Sequence, residues 1–399
     1  MEREIRTARS GAETATFDGS GVPIEVMPGL EYSVVRCVDD DCPRNDMGSV
    51  ARLTDGRLMV AWQKYMASEY GSEDYGVIEI ASRFSHDDGR SWQDERVLVR
   101  PDLAHDFNVQ APALRRLASG DLLLICLRAH RGGTDTHPES SSSSMELFRS
   151  EDDGETFKSV GYLWKHTNGN WMQGGVTSLL QLRSGRLLVP FQFGTGGQFT
   201  QHNQVSCMLS DDEGKSWQRA SGVIDLPMRG AMEPSVAELP DGELVMSIRT
   251  QLGSVFLSHS TDQGETWCLA QTSGLRAPET ASCLRCLPGT DHLLLLWVDS
   301  AYDPRHHHFG VRTPLCLGFS RDRGRRWTHL GILGHRDEFN FFDMGMDFID
   351  DDTAIITYGV YGPNRKDQSE WRDPEVVDLH AIRFTREWLA ERLKRVEGI

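Results

Sequence analysis

The chain has 399 residues, with 42 Lys+Arg against 59 Asp+Glu and a formal charge of −17. Its 39% hydrophobic and 25% charged content suits a folded globular chain and not a disordered one. The acidic balance argues against nucleic acid or an anionic membrane as a partner held by bulk charge, while leaving room for a local basic pocket. The length accommodates two or three domains, or one closed β architecture. No apolar run follows residues 1–9, so no secretory signal is expected. No stretch nears the ~18 apolar residues of a membrane span. The eight cysteines are scattered and mostly sit in apolar runs, which fits free thiols in a reducing, cytoplasmic setting. Cys283 and Cys286 make a CxxC, but within an expected strand, where positions three apart face opposite ways.

In chain order, residues 20–37 supply a first strand. Unit one (46–100) has apolar strands around a turn at Gly56, then Ser85, Asp87, Gly89, Ser91 and Trp92. Unit two (107–165) turns at Gly120 and carries Ser150, Asp152, Gly154, Thr156 and Phe157 in the same spacing; its run 140–144 reads as a polar, mobile loop. Unit three (172–225) turns at Gly185 and carries Ser210, Asp212, Gly214, Ser216 and Trp217. Unit four (230–275) turns at Gly242 and carries Ser260, Asp262, Gly264, Thr266 and Trp267. Unit five (277–333) turns at Gly289 and carries Ser320, Asp322, Gly324, Arg326 and Trp327. Unit six (340–385) has its two strands around Asp352, without the glycine and without a following box. Residues 385–395 have helical spacing and good helix formers.

The recurring box, S-x-D-x-G-x-[ST]-[WF], has a physical reading. Asp closes a tight turn by accepting backbone N–H bonds, Gly takes the φ > 0 position, and the aromatic packs beneath. Such residues are expected to be structural. Four strands per unit and six units predict an all-β six-bladed β-propeller of four-stranded blades, with a short C-terminal helix. The sixth blade takes a strand from residues 20–37. The expected domains are an N-terminal extension (1–19), the propeller (20–385) and a helical tail (386–399).

Counting back from each turn locates the start of each innermost strand, where a propeller presents its ligand site. The positions are Asp46 or Met47, Gln110 or Ala111, Gly175 or Val176, Glu233, Glu279 and Asp343. Grouped carboxylates shift one another's pKa and suit acid–base or glycosyl chemistry.

The five boxes resemble the Asp box of the sialidase (neuraminidase) superfamily, over roughly residues 30–380. The phrases Asn-Val-Gln-Ala-Pro-Ala-Leu (108–114), Glu-Pro-Ser-Val-Ala-Glu-Leu-Pro-Asp-Gly (233–242) and Arg-Thr-Pro-Leu (312–315) are similar to its sialidase-like BNR-repeat group. The resemblance implies a glycoside hydrolase acting on a terminal, acidic sugar, with carbohydrate as partner and no cofactor or metal. A non-sialidase glycosidase, a polysaccharide lyase and a non-catalytic glycan-binding propeller stay open.

The resemblance also assigns residues. Bidentate guanidinium forks match a substrate carboxylate, and it places such arginines at Arg44, Arg249 and Arg312, with Arg36 a weaker choice for the first. Arg44 lacks the family's Arg-Ile-Pro surroundings. The acid/base falls on Asp74 and the activating Glu on Glu233. Asp46, Glu279 and Gln110 would line the substrate site. The family's nucleophile is a Tyr, but this chain has Phe342 followed by Asp343 there. Either Asp343 acts instead, or Tyr302 reaches in, or an inverting pair of carboxylates needs no Tyr. His105, His130, His137 and His166 fall in loops that could line the mouth. The run of His306, His307 and His308 could bind a metal or anionic sugar, or be a polar loop. Trp62 and Trp171 could stack on a sugar or pack in the core.

Overall fold

The computed structural model describes residues 14–16, 23–25, 27–68, 74, 76–131, 142–165, 170–174, 178–195, 202–306, 308–334, 339–361 and 377–398. His137, His166, His307, Gly175 and Val176 lie outside them. β1 (Thr14–Thr16) and β2 (Pro23–Glu25) form a two-stranded sheet. After β3 (Glu31–Arg36) comes an antiparallel series: β4 (Arg44–Arg52), β5 (Leu58–Tyr65), β6 (Ile78–Ser85) and β7 (Gln93–Val99). A second sheet holds β8 (Asp106–Arg116), β9 (Leu122–His130), β10 (Ser142–Ser150) and β11 (Lys158–Trp164). In the third, β12 (Asn170–Gly174) and β13 (Leu180–Gln181) both pair with β14 (Leu187–Thr195); β15 (His202–Ser210) follows and pairs with β16 (Gln218–Arg219) and β17 (Ile224–Asp225).

The fourth sheet is β18 (Met232–Glu238), β19 (Leu244–Arg249), β20 (Ser254–Ser260) and β21 (Gln271–Arg276). The fifth is β22 (Cys283–Cys286), β23 (Leu293–Val298), β24 (Leu315–Ser320) and β25 (Thr328–Gly334). Last come β26 (Asn340–Phe348), β27 (Thr353–Tyr361) and β28 (Val377–Thr385), with β3 antiparallel to β28. A single parallel bridge, Val377 to Arg44, joins β28 to β4. The chain is therefore mostly β, in several sheets, as expected. Ser142, Ser143 and Ser144 belong to β10, and the latter two are buried, so this part of the expected polar loop is strand instead.

The helix α1 (Arg386–Glu397) is the expected C-terminal one. Thr385 caps it by accepting from Trp388 N at 3.3 Å, and Gly398 ends it in the left-handed conformation. Trp388, Leu389 and Leu393 are its buried face, and Trp388 Nε1 donates to Pro28 O at 3.1 Å. No helix among the described residues is long and apolar enough to cross a membrane.

Sheets pack face to face through apolar layers. Leu122 to Leu127 and Leu293 to Val298 are buried throughout, because each of these strands is covered on both faces. Each fully buried aliphatic side chain contributes ~1.5–3 kcal/mol of transfer free energy. Trp62 and Trp171 belong to these layers, at 0% and 1% exposure, which rules out stacking on a ligand. At the centre, Met47 of β4, Ala111 of β8 and Ala281, just ahead of β22, touch one another. The first strands of different sheets thus converge.

The boxes fold as expected. In the first, Ser91 N and Gly89 N donate to Asp87 Oδ1 and Ser85 Oγ, both at 2.8 Å. The same contacts recur at Asp152, Asp212, Asp262 and Asp322. Bonds from Thr156 and Ser216 hold Asp152 and Asp212 down to a pKa of about 2. Each box turn also seats on a strand of another unit: a Cβ at Gly154 would lie 3.0 Å from Met59 Sδ, and one at Gly264 2.5 Å from Leu188 Cδ1.

Gly264 and Gly242 share φ +87, but a Cβ at Gly242 meets nothing within 4 Å. Ala at either costs ~1–2 kcal/mol for the left-handed backbone. Gly264→Ala adds ~1–3 kcal/mol of overpacking against buried Leu188. Urea denaturation should rank Gly264→Ala well below Gly242→Ala; equal midpoints would show that the box turn is not a packing contact.

Candidate functional site

Arg44, Asp46, Asp74, Glu233, Arg249, Glu279, Arg312 and Asp343 come together where the first strands of several sheets begin. The local device is a β-bulge. Register shifts interrupt β4 between Asp46 and Ser49, β8 between Gln110 and Ala113, β18 between Met232 and Ser235, and β26 between Phe342 and Gly345. Inside them, Met47, Ala111, Glu233 and Asp343 have φ of 53°, 50°, 39° and 50°. A non-glycine residue there is strained, and such strain clusters at functional sites. Two bulges are clasped by glutamines from the preceding sheet: Ala111 N donates to Gln63 Oε1 at 3.0 Å, and Glu233 N to Gln192 Oε1 at 2.7 Å.

Two charge clusters meet at Asp343. In the first, buried Arg44 donates to Asp46 at 2.5 Å and to Asp74 at 2.8 Å, and lies 3.7 Å from Asp343. Its guanidinium also lies 4.4 Å from the Tyr65 ring centroid and 5.3 Å from that of Phe342. Tyr65 Oη donates to Asp74 at 3.2 Å. In the second, Arg249 donates to Glu233 at 2.8 Å and lies 3.3 Å from Glu279. Glu279 also holds Arg229 at 2.8 Å and Gln251 at 3.0 Å. Arg312 donates to Glu279 O at 3.2 Å and lies 6.0 Å from the Phe342 centroid.

The environments push the carboxylates apart. Burial raises Asp343 well above the usual carboxylate range, and the charges of Asp46 and Glu233 add to it. Burial likewise brings Asp46 to about 6, against the pull of Arg44. Glu279 is desolvated too, but Arg249 and its other cations overcome this and hold it far below the ordinary range. His308, beside Glu279 at 3.8 Å, is kept neutral by burial and by the charge of Arg312. The site thus sets a carboxyl group whose pKa is raised beside one whose pKa is lowered and several guanidinium groups.

Other expectations need adjusting. Gln110 binds the chain, donating to Asp74 O at 2.6 Å with Asn108 beside it at 2.8 Å, so it positions Asp74. Asp46 is fully buried behind Arg44. Arg36 pairs with Asp39 and Glu95, outside the cluster. Tyr302 is exposed and stacked on Phe309. His105 and His130 line a separate pocket of about 490 Å³ with Arg128, Glu146 and Tyr162; His130 ends β9 instead of standing in a loop. Sequence reasoning missed Tyr65, Arg229, Gln251 and the two clasping glutamines. Gln63 and Gln192 were legible only as strand-end polar residues.

A model of the BNR repeat-like domain matches residues 56–376. The chain belongs to the BNR repeat-like family. A sialidase of Paraclostridium sordellii is 27% identical to this BNR repeat-like chain over 233 residues, 55% of this chain and 56% of the relative. The chain thus spans about half the length of the curated relatives it matches. Among solved structures, a Hadza microbial sialidase superposes with a TM-score of 0.69 at 19% identity, covering 92% of this chain and 71% of that one. A protein of unknown function from Dyadobacter fermentans gives 0.66 at 17%, covering 90% and 100%. The fold is therefore that of the sialidase/BNR superfamily.

Glu279→Gln should destabilise this BNR repeat-like chain by ~1–3 kcal/mol, since it removes the counter-charge shared by half-buried Arg229 and by buried Arg249, which keeps Glu233. Thermal and urea unfolding would read this. Adding Arg229→Gln should recover part of the loss, and a double variant no better than the single would refute the shared pairing.

Proposed function

We propose that the chain is a sialidase-like glycoside hydrolase acting on a terminal acidic sugar of a glycan, built as a six-bladed propeller over residues 20–385, with 1–19 as an extension and 386–399 as a helical tail. Support for the propeller comes from five box turns that each seat on another unit, including Gly89, whose Cβ would lie 2.7 Å from Ile355 Cδ1 of the last unit. The strand β3 beside β28 completes the sixth blade.

The observation that carries the function is the gathering of Arg44, Arg249 and Arg312 around Phe342 and Asp343. Guanidinium forks there would hold the substrate carboxylate. Glu233 Oε2 is buried without a partner among the described residues, while its other oxygen is held by Arg249, so it can accept from a sugar hydroxyl.

Phe342 cannot attack, so the chemistry falls to carboxylates. Asp343 holds its proton and donates it to the departing glycosidic oxygen. Asp74, paired with Arg44 at the exposed rim, activates the water. The Arg44 guanidinium stands between these two carboxylates, 2.8 Å from Asp74 and 3.7 Å from Asp343, and an acid and a base separated in this way suit an inverting pair. Tyr65 cannot replace the missing nucleophile through ionisation, because burial raises its phenol well above 10.

A second reading has one observation in its favour. Arg44 and Arg249 already carry carboxylate partners within the protein, which suits a neutral-sugar hydrolase on the same scaffold.

A panel of aryl glycosides that includes the sialic acid derivative separates them. Release from the sialic acid derivative is expected; release only from neutral glycosides would establish the second reading. Binding of glycans without turnover would refute both. Asp343→Asn should cut kcat at least about 100-fold. Activity should fall as pH rises through the elevated pKa of Asp343, because the acid form is lost. An Asp343→Asn enzyme with full activity would overturn its role.

A further inference from the structure

On the fifth sheet, away from the central cluster, three different ligand types face one another. Asp299 follows the end of β23, Cys316 lies on β24 and His329 on β25. A carboxylate oxygen, the thiol sulfur and an imidazole nitrogen all lie within 4.8 Å of each other. We propose that Asp299, Cys316 and His329 bind one zinc ion, with a water completing the tetrahedron on the solvent side.

The register explains why they meet. Cys316 pairs with Trp297, two residues before Asp299, and His329 pairs with Gly318, two residues after Cys316. Side chains two apart on a strand share a face, so neighbouring strands bring the three together. The His329 Nε2 to Asp299 Oδ2 distance is 3.6 Å. Tetrahedral zinc, with bonds of about 2.0–2.3 Å, requires ligand atoms about 3.3–3.8 Å apart. Only a small inward movement is needed. Mixed S, N and O donors suit zinc and not calcium or magnesium, which prefer oxygen.

The surroundings fit an ion with an open fourth position. Cys316 is buried, while the His329 side chain is 40% exposed. The ring of His329 is steadied edge-on by Trp297, 5.2 Å away. Arg276 grips the other oxygen of Asp299, Oδ1, at 2.5 Å, leaving Oδ2 toward the histidine. A partner on the non-ligating oxygen is how metal-binding carboxylates are commonly oriented. Arg276 and Arg392 bring positive charge near His329 and oppose the ion. The Arg276 side chain is 63% exposed and can swing outward, and a thiolate with a carboxylate neutralises the two charges of zinc. One proton leaves Cys316 to solvent as the metal–sulfur bond forms.

The position gives the ion a use. Asp299 and Cys316 stand at the two ends of the connection that carries His308 and Arg312 into the central cleft. Zinc would pin both ends of that connection, beside the Asp299 N to Pro314 O bond of 3.1 Å that already joins them.

Metal binding tests this without any activity assay. The full chain, stripped with a chelator, is titrated with Co²⁺. One equivalent should bind with thiolate-to-cobalt charge-transfer absorption, and Zn²⁺ should displace it. Cys316→Ser should abolish that absorption, and His329→Ala, at an exposed position that tolerates change, should weaken binding at least about tenfold. Cys268→Ser removes an exposed thiol and should change nothing. Absence of the absorption in the wild type, its survival in Cys316→Ser, or unchanged affinity in His329→Ala would overturn the site.

Discussion

The bulge at the start of four of the first strands, β4, β8, β18 and β26, is the constraint on which the site depends. A regular strand would alternate its side chains between the two neighbouring sheets and present none to the centre. One extra residue with φ > 0 breaks that alternation and re-aims Glu233 and Asp343. The conformation is costly for a residue with a Cβ, by roughly 1–2 kcal/mol. It survives because the surroundings over-determine it: Gln63 and Gln192 capture the bulge N–H groups, and Met47, Ala111 and Ala281 fill the space between them. Where the bulge residue is apolar it packs; where it is acidic it faces the arginines.

The charges in the cleft form a second level of organisation. Burying a carboxylate alone would neutralise it. Here burial is selective. Glu279 sits among cations that lower its pKa, whereas the charges of Asp46 and Glu233 add to burial in raising that of Asp343, against Arg44 and Arg312. The two differ in neighbours more than in depth, with exposures of 2% and 8%. The formal charge of −17 repels an anion at a distance. Arg44, Arg249 and Arg312 oppose that field locally, at a range shorter than the ~8 Å screening length of physiological salt.

Much of this was legible in the residues. The box turns follow from Asp and Gly chemistry within eight residues, so local sequence specifies them. Counting back from Gly56, Gly242 or the Asp352 turn found Asp46, Glu233 and Asp343 because strand rise is constant. The partners were not legible. That Gln110 holds the Asp74 backbone, that Tyr65 covers Arg44, or that Arg229 shares Glu279 depends on contacts between separate sheets. Ser143 and Ser144 failed for a related reason: their polarity suggests a loop, but their hydroxyl groups find partners, Ser143 on Met172 O and Ser144 on His130. Tertiary context overrode composition there.

The pairing of β3 with β28 brings residues 31–36 against residues 379–383. That sheet edge cannot form until the late strand exists, so its closure joins the two ends of the sequence. Loop-closure entropy must be overcome before such contacts contribute. Until then the apolar face later covered by Tyr32 and Val34 is open to any other strand edge. A newly made chain therefore depends on its final segments for protection against aggregation as much as for stability.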